Sequence, residues 1–342
     1  YILILPSFGI VSDVLPTFAR KPLFGRPFVI FSGIAIGFLG FGVWSHHMFT
    51  TGMGPVADTA FALGTFLIAI PTGVKIFNWI GTLWGGHIVF RAPLLFAVGM
   101  VAMFIIGGLS GIFMASTPVD IYIHDTYFIV AHLHYVLVGG VVFPILAGVH
   151  YYFPTVNGKM LSERLGRIAF WLMFVGFNVA FLPMHFTGLR GMPRRVFTYP
   201  PNLGWDTLNL VSTAGAFILG IGIAIIAWDV VRPKKKDPLS ERNPWGAGTL
   251  EWVPKMPPEA WGIRTIPEID SRYPIWDQPN LLRDIDQGRF YLPDAEEMKR
   301  ETIVTSPIDA KPQQCLRLPG PSFIPLLAAV TLGGFFILGT FY

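Results

Sequence analysis

The 342-residue chain has a single cysteine, and only 13% of its residues are charged. Cys315 on its own excludes a disulfide framework, and with it any cysteine-based zinc or iron–sulfur site within the chain. The scarcity of charge stands against 52% hydrophobic residues, 15% aromatics and a mean hydropathy of +0.54. That balance excludes an ordinary soluble domain and points to a polytopic membrane protein surrounded by lipid. No nucleic-acid partner is expected. No signal peptide is visible, and Tyr1 opens inside an apolar run, YILILP. Residues 1–19 read as the remaining half of an earlier span.

What is present is a series of apolar runs long enough to cross a bilayer, about 20 residues each. They fall near 28–49, 60–82, 93–114, 127–152, 167–188 and 208–231, with a last one at 322–341. Helices satisfy their own backbone groups in lipid, so the expected fold class is all-α, a transmembrane helix bundle. Six complete spans follow a leading half-span, and one further C-terminal span closes the chain. Three regions are expected: a membrane bundle at 1–231, a Pro-rich charged segment at 232–321, and an additional membrane helix at 322–342. Of the 21 acidic residues, 14 come after Lys236. Residues 232–321 therefore read as a water-facing segment of irregular structure, without a chemical motif.

Alternate loops differ sharply in charge. One set carries eleven basic residues: Arg20, Lys21, Arg26, Arg91, Lys159, Arg164, Arg167, Arg232, Lys234, Lys235 and Lys236. The other carries only Arg190, Arg194 and Arg195. The positive-inside rule assigns the first set to the cytoplasmic side, and a local anion would account for the three arginines on the opposite side. With that orientation six of the eight histidines (His46, His47, His124, His132, His134 and His185) lie towards the outer side. His87 and His150 lie towards the inside.

Several clusters could carry chemistry. His46 and His47, in VWSHHMFTTGM, could converge on one copper, zinc or iron ion if the last helical turn is distorted; a polar helix end at the interface is the alternative. His132 and His134 sit about 200° apart on a helix. They therefore point to opposite sides and suit two axial ligations of two flat cofactors such as haem, or else hydrogen bonds between helices. His124 and Asp125 could hold a hard divalent ion or face solvent. Arg194 and Arg195, in GMPRR, suit carboxylates in a partly buried place. Lys75 has Thr72 on the same face and lies inside a span, where an amine costs roughly 2.5–3.5 kcal/mol. Such residues face water or a proton route, or snorkel to the interface. Ser12 and Asp13 could belong to the same route, and Asn178 reads as helix–helix packing.

WSHHMFTTGM, IPTGVKIFNW, HDTYFIVAHLHYVL and GMPRR occur in this order and with these separations. Together they closely resemble subunit I of the haem–copper oxidases, from Tyr1 to about residue 231. The resemblance implies that His46 and His47 bind the active-site copper. It makes His132 axial to the high-spin haem facing that copper and His134 axial to the low-spin haem. Arg194 and Arg195 correspond to partners of the haem propionates, and His124 and Asp125 to a magnesium site near the subunit II interface. Lys75, Thr72 and Ser12 correspond to the lysine proton pathway, and Tyr1 to the tyrosine that ends it beside the copper.

The implied cofactors are two haems of A type, copper and magnesium. The implied partners are subunit II with its dicopper centre, subunit III, and cytochrome c as electron donor, in a bacterial plasma membrane. The implied reaction is reduction of dioxygen to water coupled to proton translocation. His124-Asp125 and His134-Tyr135 resemble the cytochrome c oxidases more than the quinol oxidases of the same family. The rival from a different class is a histidine-lined transporter, which needs no haem. By the same likeness, the third copper histidine is expected four residues before Tyr1. The second low-spin haem ligand and the acidic residue of the other proton channel are expected further upstream. Leu133 stands where relatives often carry Phe, and NPWGAGTLEW resembles a bacterial C-terminal extension.

Overall fold

The computed structural model describes residues 1–232, 242–258, 265, 267–289, 301–309, 311–320 and 322–340. Lys234, Lys235 and Lys236 lie outside the described residues, as do other parts of the 232–321 segment and the last two positions of the 322–342 helix. The described chain forms two compact units, Tyr1–Gly248 and Thr249–Tyr342.

The first unit is an all-helical bundle. Its helices are α1 (Ile4–Ala19), α2 (Arg26–Leu39), α3 (Pro55–Leu83), α4 (Ala92–Ala115), α5 (Thr117–Ile123), α6 (Tyr127–His134), α7 (Phe143–Asn157), α8 (Glu163–Leu189) and α9 (Asp206–Val231). Six segments among the described residues are long and apolar enough to span a membrane. They are Arg26–Met48, Pro55–Leu83, Ala92–Ala115, Tyr127–Asn157, Glu163–Leu189 and Asp206–Val231, in register with the six complete runs of the sequence. Large apolar side chains such as Phe31, Phe77 and Phe217 are about 70% exposed on the bundle surface, an arrangement suited to hydrocarbon rather than water.

Local chemistry sets the ends. Proline occupies the first turn of α2, α3 and α4, where its missing N–H removes no helical bond. Ser162 and Thr126 cap α8 and α6, their hydroxyls accepting from Leu165 N (3.3 Å) and Phe128 N (3.2 Å). The span expected from residue 60 starts at Pro55, five residues early, because proline starts the helix well before the sequence turns apolar. Two spans are not regular throughout. After Leu39 the chain tightens into 3₁₀ turns at Gly40–Gly42 and Trp44–Met48. Between α6 and α7, residues Tyr135–Val142 form a wider π-helical stretch, a local geometry that recurs at functional sites.

Small residues let the helices approach. A Cβ on Gly215 would stand 2.3 Å from Ala180 N, and one on Gly176 2.5 Å from Leu219 N. The backbones of α8 and α9 are therefore in direct contact, the packing that small residues allow in lipid. Inside the bundle Phe8 of α1 meets Trp79 of α3 and Phe104 of α4 edge-on, both at 5.4 Å. Tyr135 Oη donates to Asn178 Oδ1 at 2.7 Å, so Asn178 serves helix packing as its place in the sequence suggests.

The first unit continues past the expected boundary at 231, to Gly248. Trp245 packs against Phe18 (5.5 Å) and Tyr151 (6.2 Å) and donates its Nε1–H to Tyr151 O at 2.8 Å. Arg20 also donates to the Gly246 carbonyl. These contacts tie the NPWGAG stretch to the ends of α1 and α7.

The second unit is more regular than the expected irregular segment. It holds short helices α10 (Pro274–Asp277) and α11 (Leu281–Asp286) and an antiparallel hairpin of β1 (Glu301–Thr305) and β2 (Pro312–Arg317), then α12 (Ile324–Gly339). The hairpin's short strands, flanked by charged residues, give no long alternating pattern to read. α12 has 16 residues, about 24 Å of helix, against a hydrocarbon thickness of about 30 Å.

Candidate metal centre

Chain direction alternates from span to span, so one end of the bundle gathers the 3₁₀ turn after α2, the end of α4, α5, the start of α6 and the end of α8. The histidines singled out in the sequence collect there. The opposite end gathers the basic loops.

The 3₁₀ turn at Trp44–Met48 supplies the distortion that neighbouring imidazoles need to converge. His46 Nε2 and His47 Nε2 lie 3.1 Å apart, with ring centroids 4.3 Å apart and planes at 76°. An ion about 2.0–2.1 Å from each nitrogen would see them at an angle of about 100°. Thr65 of α3 fixes the tautomer of His46. Its hydroxyl proton is committed to Phe61 O at 2.7 Å, so its oxygen accepts from His46 Nδ1, 3.0 Å away. Nδ1 therefore carries the proton and Nε2 is bare.

His132 and His134 follow the same rule on different neighbours. His132 Nδ1 lies 3.0 Å from Gly107 O and 3.0 Å from Ser110 Oγ, both on α4. A carbonyl only accepts, so His132 Nδ1 donates and Nε2 is bare. His134 Nδ1 donates to Val130 O at 2.7 Å, and its ring stacks on Phe181 of α8 at 4.0 Å. The two rings thus face different helices, as the two-residue spacing requires. His132 lies within electrostatic range of His46, His47 and His185. His185 is buried, with no hydrogen-bond partner for its Nε2 among the described residues, and lies against Phe128 at 5.0 Å and Tyr135 at 5.6 Å.

Above these rings two loops are laced together. Arg194 N donates to Asp125 O (2.8 Å) and Tyr127 N to Met192 O (3.0 Å), around a bridge between Thr126 and Pro193. The Arg194 guanidinium pairs with the Asp125 carboxylate. Asp125 is thus an anion for Arg194 alone, not for all three outer-side arginines. Arg190 donates to Gly204 O at 2.6 Å, while Arg195 is exposed. His124 Nδ1 stands 3.3 Å from Asp120 Oδ2. Burial raises the Asp120 carboxyl above its ordinary value, against the pull of His124. His124 and Asp125 consequently turn to different partners, and a metal ion bound between them would have to displace Arg194. His47 lies within electrostatic range of both His124 and Arg194.

The remaining residues lie deeper. The Tyr1 ring sits against Gly40, where a Cβ would come within 2.5 Å of it, at the start of the 3₁₀ stretch that leads to His46. Lys75 is buried; its Nζ donates to Val29 O at 2.7 Å and lies 5.4 Å from the Phe8 ring centroid. It turns inward towards α1 and α2 rather than snorkelling. Thr72 donates to Ile68 O (2.8 Å), and Ser12 accepts from Trp79 Nε1 (3.0 Å). Among the described residues no direct hydrogen bond joins Thr72, Lys75 and Ser12. Asp120, four residues before His124, is grouped with these histidines already in the sequence; Thr65, Gly107 and Ser110 are the contributors that motif reading missed. They come from neighbouring elements, and only spacing in three dimensions reveals them.

Among the described residues no three His, Cys, Asp or Glu side chains form a metal cluster. The donor set is instead one imidazole pair and two separate imidazoles, with Nδ1 of His46, His132 and His134 each hydrogen-bonded to a neighbour. That chemistry fits a metal ion and flat iron cofactors, and the fold and site together define the class: a helical membrane bundle with a histidine cluster at one end. The chain belongs to the family described as Cytochrome C and Quinol oxidase polypeptide I, whose sequence model matches residues 1–218. Membership implies haem and copper as cofactors.

The chain is 46% identical over 333 residues to cytochrome c oxidase subunit 1 of Bacillus sp. (strain PS3), covering 97% of this chain and 51% of that protein. To the Bacillus subtilis (strain 168) protein of the same name it is 43% identical, covering 97% and 50%. To that of Thermostichus vulcanus it is 48% identical, covering 77% and 48%. The chain thus spans about half the length of the curated relatives it matches. Its fold matches a solved heme-copper terminal oxidase dimer with a TM-score of 0.61 at 22% identity, over 70% of this chain and 48% of that one.

Proposed function

We propose that the chain is part of the catalytic subunit of a terminal respiratory oxidase that reduces dioxygen to water with electrons from cytochrome c and moves protons across a bacterial plasma membrane. The observation that carries this reading is the shared tautomer of His46, His132 and His134. Each presents a bare Nε2, and each has Nδ1 held by a named acceptor. Second partners of this kind orient metal-bound imidazoles and strengthen their donation.

In this reading His46 and His47 hold copper, His132 holds the iron of the high-spin haem, and His134 that of the low-spin haem, both of A type. When bound, these groups supply the electron relay and the oxygen-binding centre. The chain's own residues supply ligation, orientation and protons. Arg194 and Arg195 face the haem propionates, and Arg194 does so while sharing Asp125. Tyr1 holds a proton beside the copper. Lys75, with Thr72 and Ser12, passes protons from the basic end; because no direct bond joins the three, water must link them. Magnesium at His124 and Asp125 requires Arg194 to yield Asp125. Subunit II with its dicopper centre docks over the laced loops, and subunit III completes the complex. The helix Ile324–Gly339, apolar and without buried side chains, serves as an additional membrane segment.

The complete protein, purified in detergent, tests this with a reduced-minus-oxidised visible spectrum and a donor assay. Strong haem bands and oxidation of reduced cytochrome c are expected. Absence of haem bands overturns the oxidase reading. Oxidation of quinol but not cytochrome c overturns the donor and selects a quinol oxidase.

A further inference from the structure

α4 passes beside the His132 ring on a short small-residue stretch, GGLSG at 107–111. Residues three and four apart on a helix share one face, so Gly107, Ser110 and Gly111 present a single cradle. A Cβ on Gly111 would meet His132 Cε1 at 3.0 Å, and one on Gly107 would meet Tyr135 Cβ at 3.1 Å. The glycines therefore set how close α4 comes to this ring. Ser110, buried, is the one side chain of the cradle with a polar atom.

The proton positions follow from the acceptors. Ser110 Oγ donates to Gly107 O at 2.9 Å, which commits its only proton. Its lone pairs then face His132 Nδ1 at 3.0 Å, while Gly107 O faces the same nitrogen at 3.0 Å. One N–H is thus shared between two acceptors, a carbonyl and a hydroxyl. His134 Nδ1, by contrast, has a single acceptor among the described residues, Val130 O. The two imidazoles on one helix are therefore electronically unequal. Each added acceptor on Nδ1–H pushes electron density towards Nε2, since outer partners raise the basicity of the ligating nitrogen.

We propose that Ser110 is a positioning residue for His132: its hydroxyl is the second acceptor for the Nδ1 proton, and it makes this imidazole a stronger donor to iron than His134. The inference rests on the haem reading above and assigns to Ser110 a role that ligation alone does not require.

Resonance Raman of the reduced complete protein tests it through the iron–histidine stretching band of the high-spin haem. In Ser110→Ala the band shifts to lower frequency while the visible bands of the low-spin haem at His134 stay in place. Ser110→Thr, which keeps the hydroxyl, restores the band. An unchanged band in Ser110→Ala overturns the proposal, as does an equal downshift in Ser110→Thr. Should Ser110→Ala fail to incorporate haem, Ser110→Cys decides: its weaker acceptor gives a smaller downshift, and an unmoved band overturns the proposal. A wild-type protein without haem bands sinks the oxidase reading and this inference with it. A wild-type protein with the band, together with unmoved variants, sinks this inference alone.

Discussion

The two ends of the bundle solve opposite problems. At the basic end, charges and helix ends are matched within the chain. Arg167 pairs with Glu163 at 2.7 Å, and Glu163 also accepts from Ala92 N at the start of α4. Arg232 pairs at 2.7 Å with buried Asp229, which accepts from Ser162 N. Lys21 donates to the carbonyls of Gly81 and Trp84. At the histidine end the helices break into 3₁₀ and π geometry, His46 Nε2 faces His47 Nε2, and among the described residues His185 Nε2 has no hydrogen-bond partner. A buried polar atom without a partner costs roughly 1–3 kcal/mol. In the proposed function a ligand, rather than the chain, completes the bonding at that end.

Substitutions at the two ends should therefore separate metal loading from stability. The largest effect is expected for His46→Ala, which removes one of two converging nitrogens. Oxygen uptake and copper content of the complete protein should fall by more than about 100-fold, with the thermal unfolding midpoint little changed. Thr65→Val removes the acceptor that fixes the His46 tautomer. Copper affinity, measured by competition with a chelator, should weaken by about 10–100-fold. At the other end Asp229→Ala leaves Ser162 N and Arg232 without that carboxylate. It should destabilise the bundle by about 1–3 kcal/mol, read as a lowered thermal midpoint, with copper and haem content per folded protein unchanged. The smallest effect is expected for Arg167→Ala. Its pair with Glu163 is nearly half-exposed and is worth about 0.3–0.5 kcal/mol, and with the exposed bond that Arg167 gives Phe90 O at 2.6 Å the loss should stay at about 1 kcal/mol in the same melting assay. Loss of copper in Asp229→Ala, or strong destabilisation in His46→Ala, would erase the distinction between the ends.

Much of this could be read from the chain before folding, for identifiable reasons. Six spans announce themselves because lipid demands about 20 consecutive apolar residues, and no surface-facing polar stripe interrupts them. The spacing of His132 and His134 dictates that they face different helices, which holds without knowledge of the neighbours. The local break that lets His46 and His47 converge is not spelled out by residue type, because 3₁₀ geometry has no sequence pattern as marked as an apolar span. The pairing of Arg194 with Asp125 was not legible, because the two meet only when distant loops lace together. The same holds for Thr65, Gly107 and Ser110, whose types are unremarkable and whose roles come from the neighbouring helix. The continuation of the first unit to Gly248 was hidden for a similar reason. Trp245 sits in a proline- and glycine-rich stretch, yet it packs into the ends of α1 and α7.

Photolysis of carbon monoxide from the reduced complete protein, followed by infrared spectroscopy, bears most directly on the gathering of these rings. If His46 and His47 hold copper beside an iron on His132, the released molecule should appear in a second, copper-bound C–O stretching band that His46→Ala abolishes. Release straight to solvent with no second band, or a second band that survives in His46→Ala, would contradict it.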